Sequence, residues 1–245
     1  MGRIFFSDWS GTLTTEKDDK AVLKQMAMDE LVYSFKSCEF RKFFRLLLLK
    51  RNLEKLVEQY RDDPQSQEVL LRRTYELFNR NVISGVPINR IAESVEKYAT
   101  RAVDKLDTSI DEIQELVTGD MFSILTSALD LGVRAVLRKK FGKRCGNLLV
   151  YGSWLENDGH EAHRVDLRNY SNRAKVLLDL SGYSVGDACV YMGNDFRDEP
   201  CAEFADIFVV PPLATDEFRQ RMASTYGHKV RTPARGEVYK ALTQD

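Results

Sequence analysis

The chain of 245 residues carries 36 basic and 37 acidic side chains for a formal net charge of -1, which excludes a whole-chain field for nucleic acid or an acidic surface. Cys38, Cys145, Cys189 and Cys201 show no Cys-x-x-Cys spacing, so neither a zinc site nor a disulfide frame is expected. Apolar runs such as Leu46 to Leu49 are far too short to cross a bilayer, and no signal-like segment precedes the first strand. The expectation is a cytoplasmic protein with no membrane and no nucleic-acid partner.

In chain order, Ile4-Phe5-Phe6 runs into Ser7 and Asp8 and is followed by Ser10-Gly11-Thr12. This predicts a buried parallel strand whose C-terminal end delivers Asp8 into a loop, the edge where open α/β sheets bind ligands. From Glu16 to about Val117 no strand pattern stands out, whereas helix-period patterns recur. Phe43, Leu46, Leu49, Leu53, Leu56 and Tyr60 predict one long amphipathic helix that Asp63-Pro64 ends. A second stripe runs through Leu70, Leu71, Leu77 and Phe78 to a break at Ser84-Gly85. A third runs Ile88, Ile91, Val95, Tyr98, Ala102 and Leu106, and Ser109 with Glu112 has the spacing of a capping box.

Strand signals resume at Met121 and end at Thr126-Ser127, before a helix from about Asp130 to Phe141. Leu148 to Tyr151 predict another strand, and Glu156-Asn157-Asp158-Gly159 the turn of a hairpin. Lys175 opens an apolar helical stripe, with Arg173 two residues before it. Ala188 to Met192 form a further strand that ends in Gly193-Asn194-Asp195-Phe196-Arg197-Asp198, and Ile207 to Val210 a last one stopped by Pro211-Pro212.

The order of these signals resembles the four motifs of the haloacid dehalogenase (HAD) superfamily, whose members are mostly phosphatases. The resemblance spans Arg3 to about Pro212 and implies an α/β fold: a Rossmann-like, doubly wound parallel core of residues 1–15 and 118–245, with an all-α cap domain inserted at 16–117. It implies a Mg2+-dependent phosphohydrolase acting on a small phosphorylated metabolite. Asp8 would attack phosphorus and become an aspartyl phosphate, with Mg2+ on Asp8 and the Ser10 carbonyl. Gly11 would let the chain turn close to the phosphate, and the Thr12 hydroxyl would bond a carboxylate or a phosphate oxygen. Thr126, ranked ahead of Ser127 as the residue at the strand tip, would donate to a phosphate oxygen. Lys175, with Arg173 as fallback, would offset the crowd of oxygens. For the metal the expected order is Asp195, then Asp198, then Asn194, because Mg2+ prefers anionic oxygens. In the cap, Tyr33, Phe35, Lys36, Arg41 and Lys42 are candidates for touching substrate by polarity.

Ser10 departs from the family's pattern. Phosphatases of this type carry a second aspartate there, which protonates the leaving oxygen and later activates water. A serine hydroxyl does not shuttle protons at neutral pH, and losing such help costs on the order of 100 to 10,000-fold. Glu16, Asp18 or Asp19 could supply the acid if the loop folds back. Two alternatives stay open: a weak or inactive relative that binds a phosphorylated ligand or a protein partner, and a phosphonatase or dehalogenase chemistry through the same aspartate.

Overall fold

The computed structural model describes residues 2–16, 20–60, 67–119, 122–145, 148–168, 173–181 and 187–244. Among the described residues one sheet has the order β2 (Val86–Pro87), β5 (Glu161–Asp166), β4 (Leu149–Asn157), β3 (Phe122–Leu129), β1 (Arg3–Ser7), β6 (Ala188–Met192), β7 (Ile207–Val209) and β8 (Val230–Arg231). Its centre is β1 (Arg3–Ser7), flanked by β3 (Phe122–Leu129) on one side and β6 (Ala188–Met192) on the other, both parallel to it. Beyond β3 lies β4 (Leu149–Asn157), and beyond β6 lie β7 (Ile207–Val209) and β8 (Val230–Arg231), all parallel. The chain leaves β1 for β3 and β4 on one side and returns for β6 on the other. The order therefore reverses at β1, which opens a crevice at its C-terminal end.

Alternation explains why β1 is buried on both sides. Phe5 packs into the apolar cluster that includes Val136, Leu137 and Phe141, and Phe6 into the opposite one, with Leu177, Phe208 and Phe218. Helices α7 (Asp130–Phe141) and α10 (Val238–Thr243) cover the first face, and α8 (Arg173–Ser181) and α9 (Asp216–Tyr226) the second. Each fully buried apolar side chain contributes about 1.5–3 kcal/mol, and both faces are full of them. This is the doubly wound arrangement expected.

Between β1 and β3 come α1 (Ala21–Lys36), α2 (Phe40–Gln59), α3 (Gln67–Phe78), α4 (Ile88–Ala102) and the single turns α5 (Ser109–Glu112) and α6 (Gln114–Val117). The expectation of helix alone needs one amendment, because β2 (Val86–Pro87) pairs antiparallel with β5 (Glu161–Asp166). Gly85, at φ +74°, makes the turn into β2. The hairpin of β4 and β5 thus reaches into the helical block, and Leu155, Ala162 and Val165 share one cluster with Met26, Leu49, Phe78 and Ile83. Ser109 does not cap its own helix. Its backbone N–H and hydroxyl both donate to Asp107 Oδ1, at 2.9 and 2.5 Å. The Asp63-Pro64 stop lies outside the described residues.

Candidate active site

Two loops meet at the C-terminal end of β1 and β6. The Asp8 backbone N–H donates to the Met192 carbonyl at 2.9 Å, which carries the sheet ladder one residue past β1 and sets the first loop against the second. In the first loop, Thr12 and Leu13 donate to the Trp9 carbonyl at 3.3 and 3.0 Å, and Gly11 donates to Thr14 at 2.9 Å. Gly11 holds φ +77°, and a Cβ there would lie 2.6 Å from the Asn194 side-chain nitrogen. Only glycine fits both demands. In the second loop a Cβ on Gly193 would lie 2.5 Å from Asp198 Cβ, so that glycine lets Asp198 pack beneath the turn.

Asp8 and Asp198 are both fully buried, and one side chain joins them. The Arg173 guanidinium, 1 % exposed, reaches Asp8 Oδ1 at 3.1 Å and Asp198 Oδ1 at 2.5 Å. Asp198 also accepts from the Tyr191 hydroxyl at 2.7 Å and, through Oδ2, from the Asn194 and Asp195 backbone N–H groups at 3.0 and 3.4 Å. Burial and then the Asp198 charge push the Tyr191 hydroxyl well above its ordinary pKa, so it stays a donor.

Asn194 closes the site over Asp8. Its side-chain terminus lies 2.8 Å from Thr12 Oγ1, 3.2 Å from Asp8 Oδ2 and 3.1 Å from the Ser10 carbonyl oxygen. Two orientations of the amide answer this crowd. With the nitrogen turned in, its two N–H groups are within donating distance of all three oxygens. With the oxygen turned in, it accepts from Thr12 and lies 3.2 Å from Asp8 Oδ2 and 3.1 Å from the Ser10 carbonyl oxygen. A carboxylate, a backbone carbonyl and an amide oxygen are the hard oxygen donors that Mg2+ takes, so the chemistry of this donor set fits Mg2+. Among the described residues no group of three His, Cys, Asp or Glu side chains is placed for a metal.

Several expected residues fall elsewhere. Lys175 is exposed, and Arg173 takes the place expected of it. The helix period explains the exchange: Arg173 and Leu177, four apart, share the buried side of α8, and Lys175 is turned away. Asp195, ranked first for the metal, turns instead to Arg197, accepting from Nη2 at 2.6 Å and Nε at 2.9 Å. Burial alone would raise its carboxyl, but Arg197 and then Arg173 hold it below the ordinary range. Asp198, ranked second, is taken up by Arg173, Tyr191 and two backbone amides, which leaves Asn194, ranked third, against Asp8.

Thr126 and Ser127 are both fully buried. The ladder of β1 with β3 ends at Ser7 opposite Ile124, so both follow that ladder at the sheet edge where Asp8 emerges. Thr126 is not the strand tip, because β3 runs on to Leu129. Its Oγ1 accepts from the Ala128 N–H at 3.1 Å, and the Ser127 carbonyl accepts from Tyr75 and Ser153 at 3.1 and 2.6 Å. Of the acids weighed to replace the missing aspartate, Glu16 lines a small cavity with Trp9, Ser10 and Tyr98 but is ion-paired to Lys105. Asp18 and Asp19 lie outside the described residues. In the helical block Tyr33 stacks on Arg90 at 3.2 Å and Lys42 pairs with buried Glu30 at 2.7 Å, while Phe35, Lys36 and Arg41 are exposed.

No family model and no curated protein matches the chain. Solved structures do. A protein of unknown function from Bordetella pertussis Tohama I superposes with a TM-score of 0.63 at 16 % identity over 94 % of this chain and 98 % of that one. A HAD family hydrolase from Salmonella enterica serovar Typhi does so with a TM-score of 0.62 at 14 % identity, over 100 % of this chain and 73 % of that one. The chain thus shares the fold of that HAD family hydrolase. Cytosolic 5'-nucleotidase IIIB bound to cytidine is a further match, with a TM-score of 0.57 at 16 % identity over 98 % of this chain and 83 % of that one. In this shared fold, the sheet edge at the strand reversal holds Asp8, Arg173, Asn194 and Asp198 together.

Proposed function

We propose that the chain is a HAD-type phosphoric monoester hydrolase that acts on a small phosphorylated substrate through Asp8, slowly. The observation that carries this reading is the buried Asp8 carboxylate at the end of β1, oriented by Arg173 through Oδ1 and faced by the Asn194 terminus at Oδ2. The guanidinium stands on one carboxylate oxygen, and the Asn194 terminus, itself beside the Ser10 carbonyl, on the other, which suits a nucleophile that needs a cation between itself and a phosphate.

Asp8, the Ser10 carbonyl and Asn194 Oδ1 would hold Mg2+, which when bound offsets the repulsion between carboxylate and phosphate. Arg173, against Asp8 Oδ1, would hold the carboxylate in place, and Thr126 or Ser127 would donate to a phosphate oxygen. Asp8 forms its bond to phosphorus as the ester oxygen leaves with the bonding electrons and takes a proton from water. A second water then attacks the acylphosphate, releases inorganic phosphate and restores the carboxylate. With Ser10 in place of a carboxylic acid, neither proton transfer has a matched partner, which makes both steps slow.

Ser10 and the pairing of Glu16 with Lys105 also favour a second reading, a binder of phosphorylated ligands with little turnover. One experiment separates them: phosphate release from a panel of metabolite phosphates with Mg2+, for the wild type and for Asp8→Asn. Release that is lost in Asp8→Asn supports hydrolysis, with a drop of at least about 1,000-fold expected for a nucleophile. Equal release from both proteins removes Asp8 from the chemistry. Saturable binding of a phosphate ester without release supports the second reading, and turnover of phosphonates or haloacids alone would move the assignment to those substrates.

A further inference from the structure

Helix α2 is apolar on two sides, and only one of them is covered. Leu46 and Leu49 are buried in the cluster of the helical block, whereas Phe40, Phe44, Leu47 and Leu48, on the other side, are about half exposed or more. Phe44 is 59 % exposed and Phe35, near the end of α1, 61 %. The ring of Phe43 links the two helices, 5.4 Å from Phe35 and 5.7 Å from Phe44. Met28 and Val32 continue the exposed stripe back along α1 at helical spacing from Phe35. A helix apolar all round is ordinarily buried all round, so a continuous outward face of this kind calls for a partner.

Charge says which one. Residues 40–53 contain five basic side chains and no acidic one, in a chain whose net charge is -1. Lys42 is turned inward to Glu30, but Arg41 and Arg45, one turn apart, flank the apolar stripe, and Arg51 continues it. None of Arg41, Arg45 and Arg51 has an acidic partner among the described residues. Pairing this half of α2 with the same half of a copy would set those cations against one another, whereas an antiparallel pair centred on the whole helix would set Arg41 and Arg45 against Glu58 and Glu54, so the test must separate a second copy. Phenylalanine and leucine on the contact face with arginine at its flanks is the make-up of a helix that lies in a membrane interface, its rings among the acyl chains and its guanidinium groups at anionic headgroups.

We propose that the outer face of the α1–α2 pair docks onto a bilayer surface rich in anionic lipid. No helix among the described residues is long and apolar enough to cross a membrane, so the contact is peripheral. It stands apart from the hydrolase reading and does not depend on it.

The test is cosedimentation of the full chain with phosphatidylcholine vesicles and with the same vesicles containing phosphatidylglycerol, at low and at high salt. The expected result is binding to the anionic vesicles alone, weakened by salt. Arg41→Gln with Arg45→Gln should lower the affinity about 30-fold, the effect of two surface cations. Phe44→Ser with Leu48→Ser should lower it at least about tenfold. All four residues are exposed, so unchanged melting temperatures serve as the folding control, and Phe40→Ser with Leu47→Ser provides a second apolar pair. Failure to bind either kind of vesicle overturns the proposal. So does equal binding to both kinds, which leaves the arginines no part. A dimer in sedimentation velocity that Phe44→Ser with Leu48→Ser dissolves would assign the face to a second copy instead.

Discussion

Arginine serves opposite ends at the two sites. Arg173 is 1 % exposed and clamped between Asp8 and Asp198, so its charge is spent on fixing two carboxylates. On α2, Arg41, Arg45 and Arg51 stand in solvent around exposed phenylalanines, with no acidic partner among the described residues. A buried ion network specifies a geometry because any displacement strands a charge away from water. Exposed cations specify nothing internally and stay available to an outside anion. The difference is testable: substitutions in the first set should disturb folding, and those in the second should leave it alone.

The largest effect is expected at Arg173. Arg173→Ala leaves two buried carboxylates without their shared cation, and breaking a buried pair in this way costs about 3–5 kcal/mol. Denaturant unfolding measures it, with Arg173→Lys expected to lose less because one charge remains. A loss below about 1 kcal/mol for Arg173→Ala would mean that the clamp is no stronger than a surface pair, and the contrast with α2 would vanish.

A smaller effect is expected at Asn194. Asn194→Asp places a second carboxylate 3.2 Å from Asp8 Oδ2, where the amide nitrogen can otherwise donate. The metal-free protein should lose about 1–2 kcal/mol, and added Mg2+ should restore it, since a ligand that binds only the folded state stabilises it by mass action. Wild type should respond less, having a neutral amide in the donor set. Melting curves with EDTA and with Mg2+ give the answer. Equal responses from the two proteins would detach Asn194 from the cation site.

The central strands and the place of Asp8 are legible in the sequence, because a parallel strand buried on both sides leaves a continuous apolar run with a polar residue at its end, whereas the two-residue strands β2 and β8 leave no such run. The convergence of Asp8 with the loop near Asp195 could be read from motif order. Which side chains do the converging could not. Asp195 was favoured for its charge, but its loop turns that carboxylate onto Arg197 two residues on, and no residue type announces this. Lys175 matches the lysine of the resembled third motif and its spacing, yet the period of α8 sets Arg173 with Leu177 on the buried side. Helix α1 gave no distinct signal, and its exposed stripe of Met28, Val32 and Phe35 shows why: apolar residues on the outward side blur the contrast on which periodicity depends.

The smallest effect sets a third buried charge against Arg173. Asp130 is 4 % exposed at the start of α7, and its closest cation, Arg134, is 3.7 Å away at the rim. Burial dominates, so the carboxyl lies above its ordinary pKa despite the Leu131 N–H bond and the Arg134 charge. A folded-state pKa above the unfolded value means that the folded protein binds the proton more tightly. The contribution to stability is therefore complete below the unfolded pKa and is lost as pH rises through the folded one. Asp130→Asn removes this dependence. Compared with wild type, the variant should gain stability as pH rises from about 4 towards neutrality, by on the order of 1 kcal/mol or less. Unfolding free energies of the two proteins measured across that range decide it. If wild type instead gains on the variant with rising pH, Arg134 pairs with Asp130 more strongly than its distance implies, and Asp130 belongs with the clamped carboxylates rather than in contrast to them.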